Sequence, residues 1–191
     1  MPFLVTFFGA ALILVLLAAA AVLVFGTFIY NSLVSGRQRV RNGWAQIDVQ
    51  LKRRHDLVPN LVNTVKGYAT HEKETLESVV EARSRATSAG SPAEAIRAEG
   101  QLTQSLGRLF ALSEAYPELK ANSSFLQLQG ELSSTEDRIA FARQGYNDAV
   151  TQYNTSTEVF PNSLLAGMFG FKSEPLFEAA ASEKAAPEVR F

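Results

Sequence analysis

With 191 residues, a formal net charge of −1 and no cysteine, the chain has room for one modest domain and an anchor. The near-neutral charge offers no concentrated basic face, so nucleic acid is not an expected partner. The missing cysteines exclude disulfides, a thiolate nucleophile and cysteine-ligated metals.

No charged side chain occurs between Pro2 and Gly36. After a short external N-terminus (1–6), the run FFGAALILVLLAAAAVLVFGTFIY (7–30) exceeds the roughly 20 apolar residues that cross a bilayer as helix. A cleaved signal peptide is the competing reading, with Ala18 to Ala21 offering small residues for cleavage. Against it, no Lys or Arg precedes the run, and the apolar stretch continues well past the alanines. The expectation is a single-pass membrane anchor.

Orientation follows from the positive groups beyond the span: Arg37, Arg39, Arg41, Lys52, Arg53 and Arg54, with Asp48 the sole early acid. The positive-inside rule then puts the N-terminus outside and the remainder in the cytoplasm. Tyr30, an aromatic ring with a polar tip, suits the interface. Arg37, Arg39 and Arg41 read first as a topological signal. They can also meet anionic headgroups, each contributing on the order of 1 kcal/mol. Membrane lipid is thus an expected partner.

The bundle is expected over 31–157, in helices of about 31–68, 71–87, 92–115 and 123–157. In the first, Trp44, Ile47, Leu51, Arg54, Val58, Leu61, Val65 and Tyr68 recur by threes and fours, the narrow seam along which long helices pack. Pro59 lies inside this stripe without shifting its phase, which predicts a bent helix or two stacked end to end. Proline removes one helical hydrogen bond and clashes with the carbonyl four residues back, that of His55. Thr70 is a candidate cap for the second helix, whose buried face is read as Leu76, Val79, Val80 and Arg83. Ser91-Pro92-Ala93-Glu94 is a capping box with proline at the first helical position. The third helix buries Ile96, Leu102, Leu106, Leu109 and Phe110, and Pro117 ends it. After a short connector, Ser124 and Gln127 offer another capping box. The fourth helix carries a second long stripe: Phe125, Leu128, Leu132, Ile139, Tyr146 and Tyr153. The fold class is therefore all-α: an N-terminal transmembrane helix followed by an antiparallel four-helix bundle with long helices. Segment 158–191 is apolar in its first half, where Phe160, Leu164, Met168 and Phe169 either fold onto the bundle or lie among lipid headgroups. From Ala179 onward it is expected to be mobile.

Chemistry is sparse. Neither His55 nor His71 has a glutamate three residues before it, as di-iron bundles need. His71-Glu72 begins like a zinc-protease helix, but Thr75 stands where the second histidine belongs. Both histidines are expected to be solvated or capping residues. No catalytic residue, metal site or cofactor is expected. Arg54 holds a core slot. Either its guanidinium snorkels to water, or it pairs with Glu131 or Glu136 across the seam, fixing register. Trp44 is expected as a core or near-membrane anchor.

Several stretches carry a family resemblance: Tyr30-Asn31 with Leu33-Val34, and IDVQLKRRHDLVPNLVNTVKGYATHE (47–72). YPELKAN (116–122), TEDRIA (135–140), Tyr146-Asn147, Tyr153-Asn154, Phe160-Pro161 and Gly170-Phe171 extend it. In order and over nearly the whole chain, these resemble the bacterial LemA family. The resemblance implies a single-pass inner-membrane protein with an antiparallel helical bundle, whose relatives are associated with membrane-organelle formation and envelope stress. It supplies no biochemical activity. The leading expectation is a non-enzymatic membrane-anchored scaffold or adaptor docking proteins at the inner face of the membrane. The alternative is a transmembrane signalling component in which the anchor helix is coupled to the bundle. Protein partners are expected but unidentified, and homo-oligomerisation through Gly9 and the alanine run stays open.

Overall fold

The computed structural model describes residues 2–177; the tail read as mobile from Ala179 lies outside them. Among the described residues every regular element is helical. They are α1 (Pro2–Lys66), α2 (Lys73–Thr87), α3 (Pro92–Ser113), α4 (Pro117–Lys120), α5 (Ser123–Glu158) and α6 (Asn162–Phe169). The described chain forms two compact units, one from the residues up to Arg41 with Ala149–Glu174, the other from Asn42–Asp148 with the residues from Pro175 on.

In the first unit α1 carries an apolar run long enough to cross a membrane, and its side chains are almost all exposed. Burial starts near the end of that run, at Ile29, Leu33, Gly36 and Val40, again in three-four spacing. Tyr153 of α5 and Phe171 are buried in the same unit. α6 forms within the apolar tail and ends at Gly170, whose φ of 69° is the left-handed conformation that glycine adopts without strain. Phe171 therefore folds back rather than extending the helix.

The second unit is built on one continuous core. Val58, Leu61 and Val65 of α1 meet Val79 and Ala82 of α2, Leu102, Leu106 and Leu109 of α3, Leu119 of α4, and Phe125 and Leu132 of α5. Truncating a fully buried leucine such as Leu61 or Leu109 to alanine costs about 2–5 kcal/mol by transfer and cavity formation. Close approach also matters: a Cβ on Gly43 would lie 3.1 Å from the Cα of Tyr146.

Several local expectations change. α1 passes through Pro59 as one helix. α2 begins at Lys73 with Glu72 in the N-cap position and no side-chain cap, so Thr70 does not serve. Val80 is exposed, and Ala82 and Ala86 take the buried face with Leu76 and Val79. α5 is capped by Asn122, whose Oδ1 accepts from the Phe125 N–H at 3.0 Å, rather than by Ser124. The Ser91 cap does form: its hydroxyl accepts from the Glu94 N–H, and the Glu94 carboxylate reaches back to the Gly90 N–H.

Candidate functional site

Polar chemistry in the second unit converges where α1 crosses α3. The stripe of α3 runs Glu99, Leu102, Leu106, Leu109 and Ser113, so a carboxylate occupies a position that the spacing reserves for an apolar side chain. Opposite it on α1 sit Arg54, 2% exposed, and His55, also buried. Arg54 Nη1 donates to Glu99 Oε2 at 3.0 Å, and Nη2 donates to the Thr103 hydroxyl at 2.8 Å. Its Nε lies 2.9 Å from Glu136 Oε1 of α5, a carboxylate still half exposed. The remaining oxygen of Glu99 lies 2.5 Å from His55 Nε2. One arginine thus ties three helices through two carboxylates of opposite exposure.

Of the two readings of Arg54, the guanidinium is sequestered rather than snorkelling to water, and Glu136 is the acid of α5 it meets. Glu131 instead accepts from Gln127. His55 corrects the expectation of a solvated or capping residue, because it lies on the face of α1 that Glu99 covers. His71 is exposed.

Pro59 explains a further contact. Without a proline N–H, the His55 carbonyl loses its helical donor, and the Nε of Arg83 from α2 takes that place at 2.7 Å. A charged donor from a neighbouring helix so completes the ladder that proline interrupts. Beside it opens a cleft of about 400 Å³, whose lining includes Asp48, Lys52, His55, Asp56, Arg83 and Glu99. A smaller cleft of about 150 Å³ lies along Arg54, Glu99, Thr103 and Glu136. Both oxygens of Glu99 are engaged, one by Arg54 and the other by His55. Among the described residues no group of three His, Asp or Glu side chains is placed to hold a metal ion.

The other seam residues can be placed in turn. Ile47, Leu51, Val58, Leu61, Val65, Phe125, Leu132, Ile139, Tyr146 and Tyr153 are buried, and Leu128 is half-buried. Trp44 is half-buried and meets the Tyr146 ring edge-on at 5.6 Å between centroids. Tyr68 is the exception: α1 has already ended at Lys66, the chain turns, and Ala69 is buried instead. The Tyr68 hydroxyl, on an exposed ring, accepts from Asn122 Nδ2 at 2.8 Å.

Near the end of the apolar run, Tyr30 packs edge-on against Phe169 and Phe171 at 5.0 and 5.7 Å. The Arg37 guanidinium sits 4.9 Å from the Phe171 ring centre, while Arg39 and Arg41 are exposed.

Two asparagines emerge that pattern reading had not assigned. In the first unit Asn154 bonds both the N–H and the C=O of Glu174, at 2.9 Å each. In the second, Asn147 bonds both backbone groups of Phe177, at 2.8 and 3.0 Å, and the Tyr146 hydroxyl donates to the Pro175 carbonyl. Each amide replaces the peptide partner that an extended strand would otherwise need. The available signal was the repeated Tyr-Asn dipeptide at 146–147 and 153–154.

Over the described residues the chain is thus all-α, with one apolar helix long enough to cross a membrane and a buried ion network in its second unit. It belongs to the LemA family, whose model matches residues 43–191. It is 26% identical over 155 residues to Protein LemA of Metamycoplasma hominis, covering 81% of this chain and 71% of that one. It is also 26% identical over 175 residues to Magnetosome protein MamQ 2 of Paramagnetospirillum magneticum. Magnetosome protein MamQ of Magnetospirillum gryphiswaldense is 25% identical over 174 residues. Each of these two alignments covers 78% of this chain and 64% of the relative, so the chain spans under two thirds of the magnetosome relatives' length.

Proposed function

We propose that the protein is a membrane-anchored, non-enzymatic helical scaffold that docks other proteins at the inner face of the bacterial membrane. The observation that carries this reading is the division of labour along α1. Its first part exposes a long apolar surface, and its later part is bound into a core and a buried ion network. Glu99 is bonded by both Arg54 and His55, and Arg54 reaches on to Thr103 and Glu136, so the network ties helices together as a rigid platform would require. Relatives named for the magnetosome fit a scaffolding role.

The absence of native cysteine makes topology directly testable. A single cysteine replacing Ser123 should be protected from an impermeant maleimide in intact cells and labelled after lysis. Labelling in intact cells would overturn the cytoplasmic placement. In-cell crosslinking should then recover defined inner-face proteins; a chain that crosslinks only to lipid would count against docking. The continuity of α1 favours a second reading, transmembrane signalling, in which replacing the span with an unrelated apolar helix abolishes function.

A further inference from the structure

Along the apolar run of α1, side chains such as Leu23 and Phe28 are 72% and 70% exposed, and cover begins only at its end, where Ile29 is 7% exposed. Part of that cover comes from α6, whose Phe169 meets Tyr30. If residues near Gly26–Tyr30 lie in the membrane, α6 must share their depth, because the two helices touch there. Its sequence NSLLAGMF contains no charge, and Leu164 and Met168 are exposed on its surface. In water such a contiguous apolar patch is a liability; within a bilayer it is solvated by acyl chains.

Between the two helices runs a groove of about 550 Å³, within the range of small-molecule sites (roughly 300–1,000 Å³). Val22, Phe25 and Ile29 form one wall, and Leu164, Leu165 and Met168 the other. Thr27 also lines it, but its hydroxyl is bonded to the Leu23 carbonyl at 2.9 Å. The groove therefore offers almost nothing to a polar ligand. Beyond its end the chain turns at Gly170, and Arg37 and Lys172 supply positive charge of the kind a phosphate headgroup meets.

We infer that this groove binds an acyl chain of a membrane phospholipid, with α6 inserted beside the last turns of the anchor. The inference rests on the reading of α1 as a membrane span and deepens it by assigning a lipid site. The occupant is set by continuity: one wall of the groove is the span itself, so the bilayer supplies the chain.

The test uses the full chain in phosphatidylcholine–phosphatidylglycerol vesicles, with single cysteines at Leu16, Met168 or Ser84 carrying a fluorophore. Lipids spin-labelled along the acyl chain should quench Leu16 and Met168 but not Ser84, which is exposed on α2. Quenching at Leu16 with Met168 behaving like Ser84 would overturn the placement of α6 and leave the anchor standing. No quenching at either would overturn the anchor and this inference together. A second arm addresses the groove: a Cβ at Gly26 would meet nothing within 4 Å, so Gly26→Leu fills space without a clash. In that variant Met168 should stay quenched while crosslinking of a diazirine-acyl phospholipid to the half-buried, groove-lining Leu165 falls well below that to Leu16 on the exposed span. Undiminished crosslinking would overturn the acyl-chain site.

Discussion

The Arg83–His55 contact makes a sharp prediction, because its cause is a single imino acid. Pro59 removes the donor for the His55 carbonyl, and Arg83 Nε supplies it at 2.7 Å in a partly buried setting. Hydrogen bonds to charged groups contribute about 1.5–3 kcal/mol net. The carbonyl is partly accessible and would regain some water, so we take about 1–2 kcal/mol for Arg83→Met. In a Pro59→Ala background the residue-59 N–H closes the ladder itself, and Arg83→Met should then cost less than about 0.5 kcal/mol. The coupling is therefore about 1 kcal/mol, beyond the ~0.3–0.5 kcal/mol within which independent sites add. For a chain of this size that corresponds to roughly 2–4 °C in Tm. The assay is a four-member double-mutant cycle of detergent-solubilised protein, followed by far-UV circular dichroism in denaturant. Additive effects would refute the idea that Arg83 repairs the helix at Pro59.

Three further outcomes follow from the same geometry. Glu99→Ala leaves Arg54 buried with only the half-exposed Glu136 as its acid, and breaking such a pair should cost about 3–5 kcal/mol, whereas Arg54→Met with Glu99→Leu should recover most of it; denaturant midpoints check both. Asn147→Ala removes both backbone bonds to Phe177, whose ring lies 6.4 Å from Trp44, so the emission of this sole tryptophan should shift to longer wavelength, with no shift counting against the clamp. Tyr153 is held above its ordinary pKa of 10.0, first by burial and then by Glu174, against the lowering influence of Arg37 and Arg41. A raised folded-state pKa means its contribution is whole below about pH 10 and is lost as pH climbs through the folded value. Tyr153→Phe should flatten that alkaline decline and cost little at neutral pH, since the buried hydroxyl has no hydrogen-bond partner among the described residues.

The sequence by itself determined what periodicity and composition can encode. An unbroken apolar run specifies a span-length helix, and three-four spacing specifies which faces of α1 and α5 are buried, because side chains on a helix repeat every 3.6 residues. Ser91-Pro92 specified a helix start through local capping chemistry. Tyr68 and Thr70 failed as seam and cap because they sit where the chain leaves the helix, and stripe phase says nothing about where a helix ends. Only the tertiary structure decided which acid meets Arg54. Glu136 was readable by register along α5, but Glu99 lies 45 positions away on another helix, and its one sequence signal was a carboxylate in an apolar stripe. The same holds for Arg83 at the His55 carbonyl and for Asn147 at Phe177. Spacing along one helix fixes which way a side chain points, but the partner it meets depends on how separate segments pack together.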